Sequence, residues 1–330
     1  MKVLITGGAG FIGSTVASAC MDAGIIPVIL DDLSTGREAF TRGRLFYRGD
    51  IADASLLDQI AADHPDLSFA IHCAAKVVVP DSVIDPLGYY DTNVAKTIEL
   101  LRGLQRNGIG KVIFSSSASV YDAEDGGAVT EEGPIQPASP YARTKAMVEQ
   151  ILADSAGAGD LRAIALRYFN PIGADPQSRS GLPQRDPSHV LGLLISAHRH
   201  GGTFTITGTD WPTRDGSGLR DFIHVWDLAR AHVQAVRRFD LVTEKAAFRA
   251  VNVGGGTGTT IRELVAAFER VTGASVDVRI GPRRAGDVAG AYADVQRAAD
   301  LLGWRAELTI DEGIRDSLAW AESFDSASGH

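Results

Sequence analysis

The chain has 330 residues, 45% of them apolar and 22% charged, enough for a packed core and a second, smaller lobe. Its formal net charge of −9, from 32 basic against 41 acidic residues, argues against a nucleic-acid partner and requires any phosphorylated ligand to be met by local arginines or backbone N–H groups. Cys20 and Cys73 form no CxxC pair or Cys/His cluster, so a disulfide framework and a zinc site are not expected; no run approaches the roughly 20 apolar residues that span a bilayer, and the expectation is a cytoplasmic protein without metal.

In chain order, strands are predicted at Lys2–Thr6, Ile26–Asp31, Leu45–Arg48, Phe69–His72, Lys111–Ser115 and Arg162–Tyr168. Helices are predicted between them at Phe11–Ala23, Ala54–Ala62, Leu87–Gln105 and Tyr141–Ala153. Apolar runs such as Val112-Ile113-Phe114 suit strands covered on both faces, and the alternation predicts an α/β, Rossmann-type doubly wound parallel sheet. Beyond Asn170 the βαβ rhythm is lost. Residues 171–187 read as a loop, followed by a helix (Ser188–His200), a strand (Thr203–Thr207), a polar loop (Gly208–Gly218) and helices at Val225–Arg238, Thr260–Thr272, Asp294–Leu302 and Asp311–Ser323. We therefore expect a dinucleotide-binding domain over 1–170. A smaller α/β substrate-binding lobe is expected over 171–330, with segments returning to pack on the first domain.

The first strand runs into Gly7-Gly8-Ala9-Gly10-Phe11-Ile12-Gly13, which opens the first helix. Glycines allow a tight turn and a close approach of backbone to a pyrophosphate, and the helix N-terminus offers N–H groups to that anion. The second strand ends at Asp31-Asp32. A carboxylate there accepts from an adenosine ribose diol and repels a 2′-phosphate, which favours NAD over NADP, while Arg37 nearby works against that preference. Asp50 and Ile51 follow the third strand, with Asp50 placed to meet an adenine amino group. Cys73, Ala74 and Ala75 close the fourth and leave room for a cofactor.

Tyr141 and Lys145 stand four apart at the start of a helix signalled by Ser139-Pro140, so phenol and ammonium share one face. An unperturbed tyrosine has a pKa near 10, and a neighbouring ammonium together with a positive nicotinamide ring would favour the phenolate, a general base for a hydroxyl proton. Ser115-Ser116-Ser117 ends the fifth strand, where open α/β sheets gather their site residues, and Ser117 is the candidate partner of the phenol.

Together these residues resemble the extended short-chain dehydrogenase/reductases, and within them the UDP-glucose (UDP-galactose) 4-epimerase family. The resemblance covers nearly the whole chain. It is carried by residues 1–13, Leu30 to Ser34, Gly49-Asp50-Ile51, Tyr89 to Val94, Phe114 to Tyr121, Ser139 to Lys145, Arg167 to Gly173 and Pro212 to Val225. It implies that NAD stays bound while hydride leaves and returns at sugar C4 through a 4-keto sugar. Tyr141 would take the 4-hydroxyl proton, Ser117 would bond its oxygen, and Lys145 would hold the nicotinamide ribose. Leu33, Ser34, Thr35, Gly36, Lys76, Asn93, Ser115, Tyr168 and Phe169 match cofactor positions. Lys76, Asn170, His189, Arg220, Arg284, Asp287 and Ala291 match substrate positions, with Arg220, Arg284 and Asp287 on the UDP phosphates and ribose.

Three residues depart from the family pattern: Asp122 for Gly, His189 for Asn, and Ala291, next to Tyr292, for a bulky Tyr. Small residues at that last gate accompany acceptance of N-acetylated sugars. A 4,6-dehydratase would carry Asp-Glu where Ala118 and Ser119 follow Ser117, a UDP-hexuronate epimerase is a further enzyme alternative, and a non-catalytic NAD sensor would often lack the Tyr or Lys. The histidines suggest no metal site, and Trp211 and Trp226 read as packing anchors. Members commonly pair as homodimers through the helices predicted here at Leu87–Gln105 and Tyr141–Ala153, where Ile98, Leu101, Met147 and Ile151 could serve interface or core.

Overall fold

The computed structural model describes residues 1–121, 126–159, 161–183, 189–283 and 288–328, with side chains to 324. Seven parallel strands form the central sheet: β1 (Lys2–Thr6), β2 (Ile26–Asp31), β3 (Leu45–Arg48), β4 (Leu67–His72), β5 (Lys111–Ser115), β6 (Arg162–Tyr168) and β7 (Phe248–Val253). Their spatial order is β3-β2-β1-β4-β5-β6-β7, so the strand order reverses between β1 and β4, the place where such sheets open a ligand crevice.

Strand alternation feeds two cores. Val3, Ile5, Ile29, Ile113, Ile164 and Leu166 face α1 (Phe11–Asp22) and α6 (Val225–Arg237). Leu4, Val28, Leu30, Val112, Phe114 and Ala163 face α2 (Ala54–Asp63), α3 (Lys96–Arg106) and α4 (Pro140–Gly157). Successive side chains of a strand point to opposite faces, so the middle of a strand with helices on both sides is apolar on both, as in Val3-Leu4-Ile5 and Val112-Ile113-Phe114, and polar residues gather towards the strand ends.

Three features differ from the sequence expectation. The residues Leu87–Gln105 are not one regular helix: a short helix (Pro86–Tyr90) passes through a π turn, Asp91–Ala95, into α3. The second half also contributes β7, which pairs with β6 from Phe248↔Ala163 to Val253↔Tyr168. As an edge strand with its first three residues only half-buried, Phe248–Val253 lacks the continuous apolar run that marks the other strands. The segment Asp294–Leu302 becomes helical only at Gln296.

The smaller lobe has its own core, in which Leu191 and Leu194 of α5 (Val190–His200), Phe204, Ile206, Phe268 of α7 (Ile261–Thr272) and Ile314 of α8 (Ile310–Ser328) meet. Its strands are short and paired two by two: Phe204–Thr207 with Val278–Gly281, Asn170–Ile172 with Phe222–His224, Leu219–Arg220 with Thr259–Thr260, and Ala128–Val129 with Tyr292–Ala293. Among the described residues no helix is long and apolar enough to cross a membrane.

Candidate active site

The carboxyl ends of the strands open into a cavity of about 1340 Å3. Gly7, Gly10, Phe11, Ile12, Gly13, Asp31, Asp32, Ser34, Thr35, Asp50, Ile51 and the run Cys73 to Lys76 line one wall. Ser117, Tyr141, Tyr168 and Phe169 line its middle, and Asn170, His189, Arg220 and Ala291 continue it into the smaller lobe. Leu33, Gly36, Asn93, Ser115 and Lys145 are not among the lining residues, and Asp122, Arg284 and Asp287 lie outside the described residues.

The glycine loop is shaped by contact. Gly7 takes φ +69 and abuts the Ala74 backbone, where an added Cβ would come within 2.6 Å of its nitrogen; one on Gly13 would come within 2.2 Å of the Gly7 carbonyl oxygen. At the N-cap of α1, Gly10 has no side chain to close over the first-turn amides, and that turn holds no acid. These amides and the dipole end they form suit a diphosphate. Asp31 accepts from the Ala9 and Leu33 amides (2.9 and 2.8 Å), while Asp32 accepts from Ser34, so both carboxylates are fixed at the rim. Asp50 is paired with Lys96, a partner the sequence reading missed.

Tyr141 and Lys145 are 7% and 2% exposed on the first turns of α4, which Ser139 caps by accepting from the Ala142 amide (3.2 Å) and Pro140 opens. Ser117 Oγ accepts from the Ser119 amide and hydroxyl (3.2 and 2.9 Å). Those two donors leave the Ser117 hydroxyl proton to be offered into the cavity that Ser117 and Tyr141 both line. The Lys145 ammonium donates to the Ser115 carbonyl (2.8 Å) and lies 5.9 Å from the Tyr141 ring centroid.

The expectation for Tyr141 joined the Lys145 ammonium to a positive nicotinamide ring; in the chain by itself burial sets the balance. Burial pushes the phenol up to about 12 against the pull of Ser117, and burial lowers Lys145 to about 8. A positive nicotinamide ring bound in the cavity would act against that burial, and in so dry a setting its charge would be felt strongly.

Asn93 sits in the π turn, which aims its amide at the backbone of Lys76: Oδ1 accepts from the Lys76 N–H (2.8 Å) and Nδ2 donates to its carbonyl (2.9 Å). It therefore positions the cavity wall rather than lining it. Ser115 is likewise behind the wall. His232 donates through Nδ1 to the Leu228 carbonyl (2.9 Å), which leaves Nε2 to accept from the Ser115 hydroxyl (2.9 Å), and Ser115 in turn lies 3.1 Å from the Cys73 sulfur.

A family model described as the NAD dependent epimerase/dehydratase family matches residues 3–254. The chain belongs to this family. Its cofactor is accordingly NAD, and the glycine cradle, the uncapped α1 amides and the Asp31–Asp32 rim fit that group. The UDP-glucose 4-epimerase of Azospirillum brasilense is 40% identical over 331 residues, covering 99% of this chain and 94% of that protein. The crystal structure of the UDP-glucose 4-epimerase from Stenotrophomonas maltophila with bound NAD and formylated UDP-arabinopyranose matches with a TM-score of 0.92, 37% identity and 99% of each chain. That from Bifidobacterium longum in complex with NAD+ and UDP matches at 0.90, 34% identity and 98% of each chain.

For this member of the family the structure adds residues that motif reading missed. Glu149 of α4 holds Arg167 of β6 in a buried bidentate pair and accepts from Ser116; Arg167 also reaches the Tyr121 hydroxyl, which donates to Asn252 of β7 (2.6 Å). Satisfied buried networks of this kind rigidify the elements they join, here the strand ends directly behind Ser117 and Tyr141. Only their positions in the strand-end and helix patterns could have hinted at it. In the smaller lobe, Thr205, Thr207 and Trp211 line the cavity. Trp211, read from sequence as a packing anchor, is instead a cavity wall whose ring carries the Arg283 guanidinium 3.7 Å from its centroid. Ala291 lines the cavity while Tyr292 does not, because Tyr292 is taken into the strand pair with Ala128.

Proposed function

We propose that this chain is an NAD-dependent UDP-sugar 4-epimerase that interconverts UDP-glucose and UDP-galactose. The observation that carries it is the continuity of one cavity from the glycine cradle, past Ser117 and Tyr141, to Arg220 and Ala291. At about 1340 Å3 it exceeds the roughly 300–1,000 Å3 of a single-ligand pocket and can hold a dinucleotide and a sugar nucleotide together.

The cofactor, when bound, supplies a hydride acceptor and donor and a positive ring. The chain supplies the proton chemistry and the positioning. Tyr141 takes the proton of the sugar 4-hydroxyl at its phenol oxygen and returns it, while Ser117, on the same stretch of cavity wall, holds the same sugar oxygen. Lys145, fixed on the Ser115 carbonyl, keeps its ammonium beside the ring of Tyr141 and is placed to hold the cofactor ribose. Arg220, with Arg284 and Asp287, binds the UDP diphosphate and ribose. His189 caps α5 by accepting from the Gly192 amide (3.2 Å), as an Asn would, and its ring remains at the cavity wall for the uridine. The methyl of Ala291 leaves room for an N-acetyl group, so N-acetylated UDP-hexoses belong to the proposed substrate range. Cys20 and Cys73 are both free, which fits the reducing cytoplasm.

A homodimer is part of the same proposal. Val83, Ile84 and Leu87, which are 65%, 84% and 79% exposed, share the outer face of the 79–90 helices, and Met147 is exposed on α4. Leu101 belongs to the core instead, and Ile151 packs partly against it.

The test is turnover of purified protein, without added NAD, on UDP-galactose and on UDP-N-acetylgalactosamine in parallel. The expected result is product from both. Product from UDP-galactose alone would remove Ala291 as the gate, and a 4-keto-6-deoxy sugar product, or no product from either, would overturn the epimerase reading.

A further inference from the structure

Arg37 follows shortly after the Asp31–Asp32 pair, and its backbone N–H donates to the Ala9 carbonyl (2.9 Å) while the Ala9 N–H donates to the Asp31 carboxylate (2.9 Å). Its backbone therefore stands one peptide from a carboxylate that lines the dinucleotide cavity. An arginine at that place is the residue type that accommodates a ribose 2′-phosphate. Yet Arg37 does not line the cavity. Its guanidinium lies 4.3 Å from the centroid of Phe324, close to the far end of the chain on α8. Phe324 is 9% exposed and is held in turn by Trp320, whose ring lies 6.1 Å away. Trp320 also meets Phe40 at 5.7 Å and donates through Nε1 to the carbonyl of Leu182 (2.9 Å), a cavity-lining residue. The C-terminal helix is thus pinned over the loop that follows β2.

A guanidinium is weakly hydrated, and a desolvated aromatic face holds it by its quadrupole; moving it to a phosphate would forfeit that contact. We infer that Phe324 is a specificity-determining residue for the cofactor, holding Arg37 away from the adenosine ribose so that the carboxylates of Asp31 and Asp32 alone meet the 2′ position. Exclusion of a 2′-phosphorylated dinucleotide then has two parts: repulsion by the acids, and retention of the cation that would otherwise offset them. The inference rests on the NAD reading of the cavity and extends it to a residue outside the dinucleotide motif.

The experiment equilibrates the full chain with NAD and NADP together, removes free ligand, and quantifies the extracted dinucleotides by chromatography. Phe324→Leu keeps apolar bulk but removes the ring face, and the NADP preference is expected to rise about three- to tenfold. Phe324→Tyr, which retains the ring, should match the wild type. In an Arg37→Leu background, Phe324→Leu should have no further effect. An unchanged ratio in Phe324→Leu, or a shift that persists in the double variant, overturns the inference while leaving the NAD site intact. A wild-type chain that retains neither dinucleotide would overturn the cofactor reading, and this inference with it.

Discussion

The wall that carries Tyr141 and the wall that carries Arg220 hold their side chains by different means. The first is anchored in a seven-stranded sheet, and behind it lie Ser115, Glu149, Arg167 and His232, each at most 7% exposed and each joined to another strand or helix. The second hangs on two-residue strand pairs, Leu219–Arg220 with Thr259–Thr260 and Ala128–Val129 with Tyr292–Ala293, with loops between. Proton transfer tolerates little displacement, and the groups proposed to carry it sit where the fold is over-determined. Choice among substrates calls for adjustable surface, and loops on a rigid frame supply it. The contrast teaches that variants on the two walls should fail differently.

The largest effect belongs to the rigid wall. Tyr141→Phe keeps the ring and its packing but removes the proton acceptor, and kcat is expected to fall about 1,000-fold, within the usual range for loss of a general base. The KM for UDP-galactose should change little, and the protein should still carry NAD, measurable by its absorbance after extraction. A variant within tenfold of wild-type kcat would remove Tyr141 from the proton-transfer role. On the other wall, Arg220→Leu should do the reverse. Its guanidinium is already directed by the Leu219 carbonyl (2.6 Å), and loss of charged hydrogen bonds to a diphosphate is worth about 1.5–3 kcal/mol. KM should therefore rise about 10- to 100-fold while kcat stays within a few-fold. Calorimetric titration with UDP would decide the matter, and an unchanged dissociation constant would place the diphosphate elsewhere.

The same contrast explains what could be read without coordinates. The rigid wall follows local rules: Lys2–Thr6 and Lys111–Ser115 are apolar runs at a period the sheet dictates, Gly7 to Gly13 is a backbone requirement, and Ser139-Pro140 marks the helix that brings Tyr141 and Lys145 to one face. The long-range features of both walls do not. Nothing local tells that Phe248–Val253 closes the sheet as its seventh strand, that a π turn aims Asn93 at Lys76, or that Trp211 faces the cavity. These are set by pairings between residues far apart in the chain. The electrostatic balance was also beyond reach: the spacing of Tyr141 and Lys145 puts phenol and ammonium on one face, but how strongly burial weighs against the phenolate before a cofactor's charge is added is set only by the fold.

The smallest effect separates the walls by the sign of their response to acid. Beneath the rigid wall, His72 and His232 are 3% and 0% exposed and burial lowers them to about 3 and about 4. Both are satisfied as neutral rings, His72 by Thr6 and Thr97 (2.7 and 2.9 Å). An unfolded histidine titrates near 6.5, so between that value and about 4 the unfolded chain binds more protons than the folded one, and stability falls as pH falls. At pH 5 each costs on the order of 2 kcal/mol relative to neutral pH. Beside Arg220 the sign reverses. Asp221 is raised to about 6 by burial, ahead of the three backbone N–H groups it accepts from, so the folded chain binds the extra proton between about 6 and the unfolded carboxyl value. Its contribution therefore improves as pH falls through that window and offsets part of the histidine loss. Urea unfolding at pH 7 and pH 5 tests the balance. The wild type should lose stability, His72→Gln should lose less by on the order of 2 kcal/mol, and Asp221→Asn should lose more. If the three drops were equal, the histidines beneath the sheet and the carboxyl beside Arg220 would not be the groups that set the acid response of the two walls.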